Sequence, residues 1–407
     1  MTAVVQPRAS ANRFGTNVVV GMTALAVGVG ASLGFLYGFL APEIREFFGV
    51  DRARAGLLVS AYFGATGVMS ILSGFIADRL SAKRVVATAI GVLAVMVFVA
   101  AGSSSYWTLL VVSIFGGACY APINTGTNVA LANVVPLDKR GAASNAKTMG
   151  VPLLVSTGAF FAPVVGQAFS WRVPLIACGV VAVVAFFAAL VIVPNVTSIK
   201  RGEVGRKPPK GFWRVPIAAF FLLIGSQPVY SWSISFLVED MNVGKFQAGS
   251  VVGVASLIGA VNMVLLGRMS DRLGLSSRRI FLMALTLTLS LSQFVITAGD
   301  RLWLALIILG VGLAIVTQLA AIGTMHALII DLCPGAAGRG SGLTMTGYYL
   351  GALAAPVSFG FIADRVGYSW AWAYCGVCAA LSMLFFWSTK WVRRDAPVAT
   401  TTAAATA

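Results

Sequence analysis

Twelve apolar stretches of about 20 residues recur along this 407-residue chain, and they limit what it can fold into. They fall at about 18–40, 54–77, 84–103, 107–134, 143–168, 171–194, 214–238, 247–268, 279–298, 303–330, 341–363 and 369–390. At about 1.5 Å of rise per residue, each is long enough as a helix to cross a hydrocarbon core of about 30 Å. In lipid the backbone must satisfy its own hydrogen bonds, which only helices and closed barrels achieve. The stretches are continuously apolar rather than alternating, which excludes a barrel. With 58% hydrophobic and 10% charged residues, no water-soluble fold could hide this much apolar surface. The sequence therefore predicts an all-α integral membrane protein with twelve transmembrane helices.

The formal net charge of +16 would suggest nucleic acid on a soluble protein. Here the basic residues cluster at helix ends instead. With both termini inside, 21 of the 29 Lys and Arg fall in cytoplasmic segments, 7 in outer loops and one, Lys147, within a span. That bias sets the expected topology: a multi-pass protein of the plasma (inner) membrane with both termini cytoplasmic. No nucleic-acid partner is expected. The five cysteines sit in or beside apolar stretches, and Cys375-x-x-Cys378 lies inside a span, where packing is the expected role. The N-terminus lacks a cleavable signal pattern.

The two halves of the chain repeat each other. Shifted by 193, Tyr37 meets Tyr230, Glu46 meets Glu239, and Gly74, Asp78 and Arg79 meet Gly267, Asp271 and Arg272. Further on, a shift of 199 aligns Arg140-Gly141 with Arg339-Gly340. The predicted organisation is a cytoplasmic tail (1–17), a six-helix bundle (18–194), a basic linker (195–213), a second six-helix bundle (214–390) and a cytoplasmic tail (391–407). The string Gly-Phe-Ile-Ala-Asp-Arg occurs at 74–79 and again at 360–365, after spans on opposite faces. Inverted three-span units within each half would produce that placement.

Two six-span halves, a basic central loop and the string Gly74-Phe75-Ile76-Ala77-Asp78-Arg79-Leu80-Ser81-Ala82-Lys83-Arg84 together resemble the major facilitator superfamily. The match to its loop motif between spans two and three runs through Gly74, Asp78, Arg79, Lys83 and Arg84, with Ser81 where the family usually has Gly. A second copy keeps Gly267, Asp271 and Arg272. The resemblance implies two pseudo-symmetric six-helix bundles and transport by alternating access. It also makes these loop residues candidates for a conformational latch, formed in one state and broken in the other. On the residues alone, Gly74 would let a neighbouring helix approach closely and Asp78 could bridge to a basic group.

Charge inside the membrane is costly and marks function. All thirteen Asp and Glu lie in loops or at span ends, so only Lys147 and His326 remain as ionisable groups at depth. Lys147 could snorkel to the surface or face a cavity and pair with an anion. His326, the only histidine, could relay a proton, bind substrate or simply pack. The resemblance implies that spans one, four, seven and ten line the cavity. Their polar groups complete the substrate-binding candidates: Tyr37, Tyr120, Asn124, Asn128, Gln227, Tyr230 and Gln318, with Lys147 and His326.

Glycines 30, 34 and 38, and Gly347, Gly351 and Ala355, recur every fourth residue and read as helix-packing grooves. Gly158-x-x-x-Ala162-Pro163-x-x-Gly166 is similar to the family's antiporter motif, which keeps efflux open. Phe115 to Val135 carries no arginine, unlike most of the family's drug exporters. Lys147-Thr148-Met149-Gly150-Val151-Pro152 is similar to a string in transporters grouped with cyanate and nitroimidazole carriers. No phosphate-binding Gly-x-x-x-x-Gly-Lys-Ser/Thr string is present, and no nucleophile–base pair or metal cluster at depth suggests an enzyme. The expectation is a monomeric secondary transporter without cofactor or metal, moving a small organic anion with a proton. The alternative is proton-driven efflux of amphipathic compounds.

Overall fold

The computed structural model describes residues 14–136, 139–197, 208–272, 275–298, 303–333 and 337–391. The described residues form fourteen α-helices: α1 (Thr16–Phe39), α2 (Ala41–Phe48), α3 (Arg52–Arg79), α4 (Ala82–Ala101), α5 (Tyr106–Val134), α6 (Arg140–Thr148), α7 (Gly150–Ala168), α8 (Arg172–Ile192), α9 (Arg214–Glu239), α10 (Lys245–Asp271), α11 (Leu275–Thr297), α12 (Leu304–Leu332), α13 (Ala337–Val366) and α14 (Tyr368–Ser388). Among the described residues there is no strand. Twelve helical segments of the described residues are long and apolar enough to span a membrane. An even number of crossings puts residues 14 and 391 on one face, called here the terminal face; the other is the distal face.

One feature departs from the twelve-span pattern. Between the first two spans the chain forms α2, an eight-residue amphipathic helix closed by Gly49 in the left-handed region at φ 62°. In the fifth span α6 continues into α7 through Met149, which keeps helical dihedrals and i→i−4 hydrogen bonds to Asn145 and from Leu153. Helix starts follow local chemistry. The Asp51 carboxylate accepts the Arg54 amide at 2.7 Å, and the Ser81 hydroxyl accepts the Arg84 amide at 3.5 Å. Pro122, Pro163, Pro228 and Pro356 sit inside helices. The Trp232 indole of α9 donates to the Pro356 carbonyl of α13 at 3.0 Å and ties these two helices together.

Small residues set the helix spacing. A Cβ at Gly30 would press on Tyr120, at Gly34 on Tyr62 and at Gly38 on the Ser231 backbone, so this stripe is a packing surface. Gly347 and Gly351 likewise receive the backbone of Pro216 and Phe220. Much of the contact between halves lies toward the distal face. Gly38 meets Ser231, Gly56 meets Pro356 and Gly360 meets Arg52. Deeper in, the Ser60 hydroxyl accepts the Val357 amide at 3.2 Å and the Ser156 hydroxyl donates to the Gly253 carbonyl at 2.8 Å.

The two copies of Gly-Phe-Ile-Ala-Asp-Arg close α3 at the terminal face and α13 at the distal face. Their glycines differ. Gly360 touches the Arg52 carbonyl region, whereas a Cβ at Gly74 would meet nothing within 4 Å. Among the described residues no neighbour comes that near Gly74, as expected of a state in which the distal side is closed and a latch at the terminal face is released.

Candidate functional site

The fifth and fourth spans build the centre of the site. Because α6 carries Lys147 on the side facing α5, its ammonium reaches two asparagines one turn apart. Lys147 Nζ donates to Asn124 Oδ1 at 2.7 Å and to Asn128 Oδ1 at 2.5 Å. The lysine is 3% exposed, so it does not snorkel to the surface. Close packing next to it holds this arrangement: a Cβ at Gly150 would collide with the Ala24 carbonyl of α1. Asn124 is half-buried and Asn128 exposed, so one edge of the cluster is accessible. Among the described residues, no carboxylate forms an ion pair with Lys147.

The other candidates spread around this cluster. Tyr120 lies two turns above Asn128 on α5 and neighbours Tyr348 and Tyr349 of the opposite half. Tyr37 and Tyr230, paired by the repeat, are 1% and 3% exposed. Tyr37 Oη lies near the Ser113 hydroxyl, and Tyr230 Oη near the Ser256 hydroxyl, without a hydrogen bond of normal geometry. The Tyr230 ring packs edge-on against Phe35 of the other half, centroids 5.3 Å apart. Gln227 and Gln318 are buried, and Gln227 Nε2 and Gln318 Oε1 have no hydrogen-bond partner among the described residues. His326 is exposed, with Nδ1 2.8 Å from the Ile322 carbonyl. A carbonyl only accepts, so the proton sits on Nδ1 and Nε2 carries the free lone pair. No described hydrogen bond joins His326 to the Lys147 cluster.

A second constellation, which the sequence did not reveal, lies at the distal face. Glu239, at the end of α9, accepts Arg45 Nη1 on Oε1 and Arg52 Nη2 on Oε2, each at 2.6 Å. Arg52 also reaches Asp364 at 3.3 Å, and Asp364 accepts the Ala53 amide at 2.9 Å. Tyr368 Oη accepts from Arg52 Nε and donates to Glu239, both at 3.1 Å. Nearby, Lys245 pairs with Glu43 at 2.5 Å. Four of the five ion pairs among the described residues thus join one half to the other at this face. The fifth, Arg278–Asp331, stays within the second half.

Of the candidate latch residues at the terminal face, Arg79, Arg84 and Arg272 are exposed and Lys83 is half-buried. Gly267 lies within α10, and the side chains of Asp78 and Asp271 are outside what the structure describes. The groups His, Cys, Asp and Glu form no cluster of three or more able to hold a metal among the described residues.

Twelve spanning helices in two packed halves, with a buried polar cluster between spans and a charged seam at one face, define a membrane transporter. The chain belongs to the Major Facilitator Superfamily, whose family model matches residues 22–356. Two relatives from strains of Mycobacterium tuberculosis, named as the uncharacterized MFS-type transporters MT3072 and Rv2994, are each 27% identical over 367 residues. Each alignment covers 87% of this chain and 81% of the relative. Among solved structures, the chain is similar to a bacterial homologue of the human lysosomal transporter Spinster in an inward-facing and occupied conformation. That similarity has a TM-score of 0.77 at 15% identity and covers 94% of this chain and 98% of the other. The unoccupied inward-facing form of a bacterial Spinster homologue gives 0.70 at 14% identity, covering 92% and 95%. At these identities the likeness shows the fold. The protein is a multi-pass transporter, not an enzyme.

Proposed function

We propose that this transporter moves a small organic anion by alternating access, with Lys147, Asn124 and Asn128 as its recognition centre. One observation carries the reading: a buried lysine is held by two neutral amide oxygens and, among the described residues, by no carboxylate. An uncompensated cation inside a low-dielectric bundle is costly, and an anionic substrate supplies the missing charge. The amides orient the ammonium without neutralising it, which favours an anion over a cation. Each also keeps an amide NH2 able to donate to a bound carboxylate.

The distal ion pairs act as the gate of this cycle. They join the halves while the distal side is closed, and they break when it opens. An interaction confined to one state biases a two-state equilibrium by its own differential energy. The loop residues Gly74, Asp78, Arg79, Lys83 and Arg84, with Gly267, Asp271 and Arg272, take the converse role at the terminal face. The excess of basic residues on the terminal side supports placing that face in the cytoplasm of a plasma membrane. Proton coupling in symport is assigned to His326, whose Nε2 carries a lone pair that can accept a proton.

The test is uptake into proteoliposomes under an imposed pH gradient. Lys147→Gln abolishes uptake of a small carboxylate while the protein keeps its elution profile and unfolding temperature. Unchanged uptake would remove the anion site. His326→Gln uncouples uptake from the gradient, and intact coupling would remove histidine from the proton path.

A further inference from the structure

Glu43 lies in the first turn of the short helix α2 at the distal face, and its carboxylate is held unevenly. Oε1 accepts the Lys245 ammonium at 2.5 Å across the seam between the halves. Oε2 is buried and has no hydrogen-bond partner among the described residues. The side chain is 9% exposed, whereas those of Glu239 and Asp364 in the same seam are 21% and 23% exposed. The walls around it come from the first half alone. A Cβ at Gly166 of α7 would lie 3.9 Å from the Glu43 carboxyl carbon, 2.8 Å from Leu40 and 3.8 Å from the Trp171 backbone, so these groups meet beside the carboxylate. The Trp171 ring packs on Phe48 of α2, centroids 5.6 Å apart.

The other charges at this end are engaged elsewhere or face water. Arg45 and Arg52 bind Glu239, Arg52 also binds Asp364, and Tyr368 bridges Arg52 and Glu239. Arg172 stacks on Phe47 and Trp171 and donates to the Ser103 carbonyl at 3.0 Å. Asp51 caps α3, and Glu46, Arg54 and Asp240 are exposed. Neither α1 nor α7 contains a charged residue. Lys245 is therefore the cation that balances Glu43, and it belongs to the other half. When the distal side opens, the halves part as rigid bodies. Lys245 leaves with the second half, while Leu40, Gly166 and Trp171 travel with Glu43. A carboxylate left in such a pocket without a cation is costly, and a bound proton removes the cost.

We infer that Glu43 is a proton-binding site, filled from the distal side when the transporter opens there and emptied when Lys245 returns. This rests on the reading of the distal ion pairs as a gate and adds a ligand to it: the proton and Lys245 compete for one carboxylate. The closed state holds Glu43 ionised and the open state holds it protonated. A fall in pH therefore favours opening, and a rise favours closure. The site is separate from His326, which lies near the terminal end of α12.

The test uses the full chain in nanodiscs with spin labels at the distal ends of α4 and α11, one in each half, and follows the distance distribution with pH. Above about pH 5, where ordinary carboxylates stay ionised, the open-to-closed ratio of the wild type rises as pH falls. The rise is at most about tenfold per pH unit, the limit for one proton taken up on opening. It is the same in a His326→Gln background. Glu43→Gln mimics the protonated group in shape and charge, so it favours the open state throughout and abolishes the response. Lys245→Gln also favours the open state and flattens the response, because the carboxyl then lacks its cation in both states. If Glu43→Gln leaves the alkaline populations at wild-type values, the pair is no gate, and this inference falls with that reading. If Glu43→Gln opens the distal side but the wild type ignores pH in this range, the gate stands and the proton site is overturned. A response that survives Glu43→Gln, or vanishes with His326→Gln, assigns the proton to another group and overturns the site equally.

Discussion

At the scale of single residues the central object is the Lys147 ammonium between Asn124 and Asn128. Its chemistry predicts an asymmetric response to two substitutions of similar size. Lys147→Gln removes the charge and with it anion binding. Asn128→Asp instead supplies an internal counter-ion 2.5 Å from Nζ. That variant keeps the lysine charged but lowers anion affinity tenfold or more, a cost of about 1.4 kcal/mol or above. Calorimetric titration with a binding carboxylate measures it; affinity equal to wild type would contradict the role of an uncompensated charge. The sequence supplied all three residues as separate candidates, because amides and a lysine inside apolar spans stand out. It could not supply their convergence, which depends on the rotation of α6 against α5. Nor could it tell cavity from core for Tyr37 and Gln318, both of which turn out to be buried.

At the scale of elements, the distal seam depends on helix ends from five segments, α2, α3, α9, α13 and α14, meeting at Glu239 and Asp364. These pairs are 187 to 312 residues apart in sequence, so no local pattern announces them. The only trace is the repeat, which makes Asp364 the counterpart of Asp78 within the recurring Gly-Phe-Ile-Ala-Asp-Arg string. Exposed ion pairs add little to stability, and those here are only about one-fifth exposed and share partners. Glu239→Gln removes the common acceptor of Arg45 and Arg52. It shifts the population toward the distal-open state by about 5- to 150-fold, the usual span of a coupling energy of about 1–3 kcal/mol. Distances between spin labels on the distal ends of α2 and α13 read the shift, and an unchanged distribution would show that the seam does not gate. The short helix α2 also escaped the sequence reading, because it is too short and too polar to register as a span.

For the whole molecule, what sequence alone conveyed was the architecture. Twelve apolar runs, a basic linker and a 193-residue repeat need no side-chain detail, since the bilayer enforces helices wherever such runs occur. The working cycle needs such detail, because it lives in contacts that exist in one state only. In this state Gly74 has open space beside it while Gly360 is packed on Arg52, so the two copies of one motif stand in opposite conditions. Exchange of the states should reverse them. Asp78→Asn therefore slows exchange transport by unbalancing the equilibrium while leaving substrate affinity in the present state unchanged. Counterflow and binding measured on the same preparation separate these effects, and normal turnover would dismiss the latch.

The account turns on whether an anion completes the charge of Lys147, and ligand-induced stabilisation reads that directly. Purified wild-type protein and Lys147→Gln are heated side by side against a panel of small and long-chain carboxylates and of hydrophobic cations. The account predicts that carboxylates raise the unfolding temperature of the wild type and not of the variant, and that the cations raise neither. Stabilisation by the cations, or equal stabilisation of both proteins by carboxylates, would contradict it.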